Sequence, residues 1–158
     1  MNSYNEQFMT EAIRLAIDNV KSGNGGPFGA VIVKNGEVIS TGVNRVTSTN
    51  DPTAHAEVIA IREACKKLDS FQLEGCEIYA SCEPCPMCLG AIYWARPDKI
   101  YFTGTKKDAA DIDFDDSFIY NEMNVPFEER SIKTIHVRHP ETLAPFIEWK
   151  NKKDKIEY

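Results

Sequence analysis

The sequence predicts an α/β fold, one sheet flanked by helices, and three observations carry that reading. Two β-rich runs, residues 28–34 and 37–43, are joined by Asn35-Gly36, the dipeptide that most strongly marks a tight hairpin. After the hairpin, helix-period and strand-like stretches alternate, the pattern of a sheet with helices packed against it. No repeat, low-complexity tract or linker divides the 158 residues, so a single domain over residues 1–158 is expected.

In chain order, residues 5–22 form the first helix, because Phe8, Met9, Ile13, Ala16 and Val20 recur at spacings of three and four. The stretch 23–27 stops it, since Gly23 supplies positive φ and Pro27 continues no helix. The run 28–34 is almost continuously apolar and so belongs inside the sheet. Residues 44–51 are polar and read as a loop. Pro52 and Thr53 open a second helix reaching Leu68, with Val58, Ile61, Ala64 and Cys65 on its buried face. Strand 76–81 leads straight into helix 86–95, and strand 99–104 follows. Residues 106–116 are acidic and loop-like, and residues 117–123 are helical. A last short strand, 133–137, precedes a helix over residues 142–152.

Composition narrows the class. With 42% hydrophobic and 27% charged residues the chain is neither disordered nor fibrous. Eighteen Lys+Arg against 24 Asp+Glu leave a net charge of −6, which argues against a surface built to grip a phosphate backbone. No apolar stretch approaches the roughly 20 residues that span a bilayer. The start, Met1-Asn-Ser-Tyr-Asn-Glu, lacks the basic end and apolar run of a signal peptide, so a cytoplasmic, reducing address is expected. There the five cysteines do not read as a disulfide framework, and three of them, Cys82, Cys85 and Cys88, sit at a spacing of three.

His55, Cys85 and Cys88 carry the chemistry. Imidazole nitrogen and thiolate are ligands that zinc prefers, and Cys85-Pro-Met-Cys88 sets two sulfurs one helical turn apart at a helix start. His55 begins another helix, so two helix N-termini can converge on one metal. Three protein ligands leave the fourth tetrahedral position to water, whose pKa zinc lowers to about 7. Glu57, two residues beyond His55, is placed to shuttle its proton. Two other readings of the cysteines stay open at this level: a closed Cys3His structural zinc site that includes Cys82, and an iron–sulfur ligand run, which lacks a further cysteine after Cys88. Cys65 and Cys76 read as ordinary buried thiols, and His136 and His139 as surface or structural residues.

Together His55-Ala-Glu57 and Pro84-Cys85-Pro-Met-Cys88, 30 residues apart between His55 and Cys85, match the zinc nucleobase deaminase signature. Over essentially its whole length the chain resembles the cytidine deaminase superfamily, and within it the small bacterial guanine deaminases. The phrases that carry the likeness are Gly25-Gly-Pro-Phe-Gly-Ala-Val-Ile-Val, Asn50-Asp-Pro-Thr-Ala-His-Ala-Glu, Ser81-Cys-Glu-Pro-Cys-Pro-Met-Cys-Leu-Gly-Ala-Ile-Tyr-Trp-Ala-Arg and Phe114-Asp-Asp-Ser-Phe-Ile-Tyr.

The resemblance implies a three-layer α/β/α fold around a five-stranded mixed sheet and one zinc ion per subunit. It implies hydrolysis of guanine to xanthine and ammonia, with water activated at zinc attacking C2. Glu57 would take the water proton and deliver it to N3, and Asp116 would assist proton transfer to the departing amino group. Asn44 would hydrogen-bond the base, Phe28 would stack on it, and Ala56 and Trp94 would line the pocket. It also implies a homodimer that exchanges the C-terminal segment 140–158, with Trp149 and Tyr158 closing the partner's site. Three rivals keep their place: a tRNA adenosine deaminase, which needs a basic face; a deaminase of guanosine or another small base; and a zinc-stabilised binding module without turnover.

Overall fold

The computed structural model describes residues 4–158; the first three residues, on which part of the signal-peptide reading rests, lie outside the described residues. Two compact units divide the chain at residues 116 and 117. The sequence suggested one domain with residues 140–158 as its separable piece.

The first unit opens with α1 (Glu6–Ser22), capped by the Asn5 side chain accepting from the Gln7 N–H and ended by Gly23 at φ 72°. β1 (Gly29–Lys34) and β2 (Glu37–Val43) form the hairpin, turning on Asn35 and Gly36 at φ 52° and 79°, the left-handed pair that matches strand twist. A one-turn helix, α2 (Val46–Thr49), interrupts the loop, and α3 (Ala56–Leu68) begins at His55 rather than at Pro52. Then come β3 (Cys76–Cys82), α4 (Pro86–Ala95), β4 (Lys99–Gly104) and α5 (Lys106–Ala110).

The sheet is mixed, with strand order β2-β1-β3-β4; β1 runs antiparallel to both neighbours and β3 parallel to β4. Because β1 lies inside, both of its faces are buried. Val31 and Val33 pack with Met9 and Ala12 of α1 and with Tyr79, while Ala30 and Ile32 pack with Ala56, Ala60 and Ala64 of α3 and Ile92 of α4. Three layers result: α1, the sheet, then α3 with α4. The stripe that α1 buries is Met9, Ala12, Ala16 and Asn19, leaving Ile13 and Val20 exposed. Small residues there let the helix lie close to the sheet.

One close approach sets the site. A side chain at Gly42 would run into the Ala56 carbonyl and the Ala60 N–H, so glycine alone lets the start of α3 rest on β2. The buried Ser40 hydroxyl adds a hydrogen bond to the Ala60 carbonyl at 2.7 Å.

The second unit holds α6 (Ser117–Met123), a 3-10 turn (Phe127–Glu129) and α7 (Ala144–Asn151). The expected fifth strand over 133–137 does not form: the sheet has four strands, and residues 131–140 are irregular and exposed. A strand exists only by pairing its N–H and C=O groups. Among the described residues, 117–158 include no other strand to supply that pairing. No helix among the described residues is long and apolar enough to cross a membrane.

Candidate active site

Two helix starts deliver the three candidate metal ligands. His55 is the N-cap of α3 and Cys85 the N-cap of α4, both in extended backbone (ψ 155° and 168°) and neither using its side chain to cap. Pro86 occupies the first helical position of α4, where a missing N–H costs nothing. Cys88 follows one turn on and is buried. α4 leaves the C-terminal end of β3 and crosses over to the parallel β4, which places its first turn at the end of the strands where α/β proteins build their sites.

The ligand atoms of His55, Cys85 and Cys88 lie within 4.8 Å of one another. His55 Nδ1 is 3.5 Å from Cys85 Sγ and 3.4 Å from Cys88 Sγ. Zinc–sulfur and zinc–nitrogen bonds at the tetrahedral angle would set such atoms about 3.6 Å apart, so the donor set and its spacing fit zinc. Cys85 is held down to about 4 by its hydrogen bonds with Cys88 and His55. Cys88 is pushed up by its interaction with Cys85 and by burial, and His55 is raised by its hydrogen bond to Cys85. The arrangement favours the thiolate at Cys85, and zinc held by the three residues would take the place of the shared protons.

Cys82 is not part of this group. Its thiol points to the Thr105 carbonyl at 3.6 Å, and burial pushes its pKa up to about 11, so the closed four-ligand site is not built. His136 and His139 are exposed and outside the group as well.

Glu57 sits in the first turn of α3 at 8% exposure, with the Cys88 thiol donating to its Oε2 at 3.4 Å. Burial raises its pKa and favours the carboxylic acid, against the N–H of its own backbone, which favours the carboxylate. Asp116 is half-buried and likewise raised, by burial first and by the charge of Cys85 second. Ala56, between His55 and Glu57, is buried in the α3 side of the core.

Phe28 and Asn44 meet at the open end of the hairpin, where the Asn44 N–H donates to the Phe28 carbonyl at 3.2 Å. Asn44 is buried, and its Oδ1 accepts from the N–H groups of Gly26 and Val46, both at 3.3 Å. Those two donors fix the amide's orientation and leave Nδ2 as the outward donor. Phe28 packs one side on the core and meets Phe114 edge to face. Trp94 lies on the exposed face of α4, and Tyr158 is exposed in the second unit.

Three supporting residues had no role in the sequence reading. Asn19 donates from Nδ2 to the carbonyls of Gly26 and Asn44 (2.9 and 2.8 Å), joining the two loops that carry Phe28 and Asn44. An asparagine in register with Met9, Ala12 and Ala16 is its sequence signal. Glu83 accepts from the Lys106 N–H at 3.0 Å and ties α5 to the cysteine loop. Ser81 Oγ accepts from the Gly29 N–H at 3.0 Å.

Comparison with known proteins agrees with this geometry. Residues 2–104 match the profile described as the cytidine and deoxycytidylate deaminase zinc-binding region. The chain is 56% identical over 153 residues to guanine deaminase of Bacillus subtilis, covering 97% of this chain and 98% of that one. The crystal structure of that enzyme superposes with a TM-score of 0.96, covering 100% of this chain and 99% of the other. A guanine deaminase from Nitrosomonas europaea, 32% identical, superposes with a TM-score of 0.68, covering 73% of this chain and 67% of its own. A tRNA-specific adenosine deaminase of Aquifex aeolicus is 46% identical over 102 residues, 65% of this chain and 67% of that one.

Proposed function

The chain belongs to the zinc-binding cytidine and deoxycytidylate deaminase family, and we propose that within it this protein is a guanine aminohydrolase. It converts guanine and water to xanthine and ammonia: a C2–O bond forms, and the bond from C2 to the exocyclic nitrogen breaks. The observation that carries the activity is the His55–Cys85–Cys88 triangle with the buried Glu57 carboxyl against it. The substrate rests on 56% identity to the Bacillus subtilis guanine deaminase over nearly the whole chain.

Zinc held by His55, Cys85 and Cys88 supplies the Lewis acid that makes water nucleophilic at neutral pH. Glu57 does the proton work, taking the water proton and delivering it to N3 of the base; burial raises its pKa and so favours the form that carries the proton between the two. Asp116 helps move a proton to the leaving amino group. Asn44 donates from Nδ2 to the base, and Phe28 supports the ring with its face. A net charge of −6 favours a free base over a polyanionic RNA.

We read the enzyme as a cytoplasmic homodimer of purine catabolism that exchanges its C-terminal segment. The support is the second unit itself: Ile135, Val137, Phe146 and Ile147 are all more than half exposed in a segment that buries none of its own side chains. Trp149 and Tyr158 would then wall the site of the partner subunit, with Trp94 beside them. A chain ending before Ile156 should lose affinity for guanine; unchanged turnover and affinity would remove Tyr158 from the site. For the activity, a spectrophotometric panel of guanine, guanosine, adenine, cytosine and cytidine should show zinc-dependent turnover of guanine above all others. Guanosine turned over faster than guanine would replace the substrate.

A further inference from the structure

We infer that Phe114 is the positioning residue for the stacking ring: it sets the pitch of Phe28 and thereby governs how firmly the purine is held. This rests on the reading that a purine base stacks on Phe28. The two ring centroids are 5.0 Å apart with planes at 87°, an edge-to-face pair. Core residues also pack against Phe28, so the core and Phe114 together hold the orientation of its ring. Gly26 closes the third side. A Cβ there would stand 3.2 Å from Phe114 Cζ and 3.3 Å from Phe28 Cδ2 and Cε2, so both rings already pack against that backbone.

Phe114 is aimed by its backbone, although its side chain is 46% exposed. Thr105 and Asp108 start α5 with a reciprocal capping box, and Glu83 anchors the Lys106 N–H. At the other end Asp113 takes φ 70°, its N–H bonding the Ala110 carbonyl, while the Phe114 N–H bonds the Ala109 carbonyl at 3.0 Å. That pair of bonds is a Schellman stop, which fixes the direction in which residue 114 leaves the helix. A five-residue helix secured at both ends thus acts as a bracket whose product is one oriented ring.

A group that steadies the base equally in ground and transition states changes KM and leaves kcat alone. In the zinc-loaded full-length protein, Phe114→Ala should raise KM for guanine about three- to tenfold, the range of an aromatic pair, with kcat within about twofold. Gly26→Ala presses on both rings from the other side and should show the same split. Should Phe114→Ala lose zinc or melt early, Phe114→Leu carries the same test with the bulk retained. An unchanged KM, or a kcat that falls as far as kcat/KM, would overturn the assignment. Wild-type protein that turns over cytosine or adenine but not guanine would overturn the substrate reading, and this inference only if Phe114→Ala left KM for that base unchanged.

Discussion

Residues 4–116 and 117–158 differ in how they treat apolar side chains. The first stretch buries Ile32, Ile78, Tyr79 and Ile92 at 2% exposure or less, on two faces of one sheet. The second buries none of its side chains, although Ile132, Ile135, Val137 and Phe146 are as apolar. A segment with that much exposed hydrocarbon is not a self-sufficient fold, because burial is the dominant favourable term and here it is not collected within the unit. The first unit carries the His55–Cys85–Cys88 cluster, Glu57 and Asn44; the second carries the exposed apolar side chains.

The largest effects are expected in the first unit. Cys88→Ala removes a ligand and should abolish zinc retention and activity together, a loss of more than about a thousandfold, read by metal analysis and by turnover of guanine. Next in size, Ile78→Ala opens a cavity beneath both α3 and the sheet and should cost about 2–5 kcal/mol in denaturant unfolding. Tyr79 gives a pH signature of the same region. Burial pushes its phenol up to about 12 from 10.0, with the Asn5 N–H donating to it and Glu77 accepting from it. A raised pKa stabilises the neutral phenol in the fold, so its contribution is whole below pH 10 and is lost as pH rises through about 12. Alkaline unfolding curves should fall by about 2–3 kcal/mol over that window and flatten in Tyr79→Phe. In the second unit, Ile135→Ser should move monomer stability by less than about 0.5 kcal/mol. If a partner covers this face, the same change should weaken the dimer in sedimentation experiments; an unaltered dimer would separate the apolar face from assembly.

The sequence made legible whatever depends on local pattern. Helix 86–95 and strand 99–104 form with those bounds, since Pro86 fixes one start and the apolar run Ile100-Tyr101-Phe102 needs a sheet. The His55, Cys85 and Cys88 cluster was readable because two short spacings each sit at a helix start. The rest depends on partners that are distant in sequence. Residues 133–137 have apolar β-formers, yet among the described residues no strand pairs with them and they stay irregular. α5 was hidden in an acidic stretch whose capping box, Thr105 with Asp108, is only four residues long. Asn19 reaches Asn44, 25 positions on, as well as the nearby Gly26, and Phe114 meets the far more distant Phe28; no short window along the sequence contains both ends of either long contact.

If Glu57 moves the proton at a zinc site acting on guanine, its removal separates metal binding from turnover. Zinc content and ammonia release from guanine are compared between the wild-type protein and Glu57→Gln. Full zinc occupancy is expected in both, with a fall in kcat of about a hundred- to ten-thousandfold in the variant. Equal turnover by the two proteins at equal zinc would contradict it.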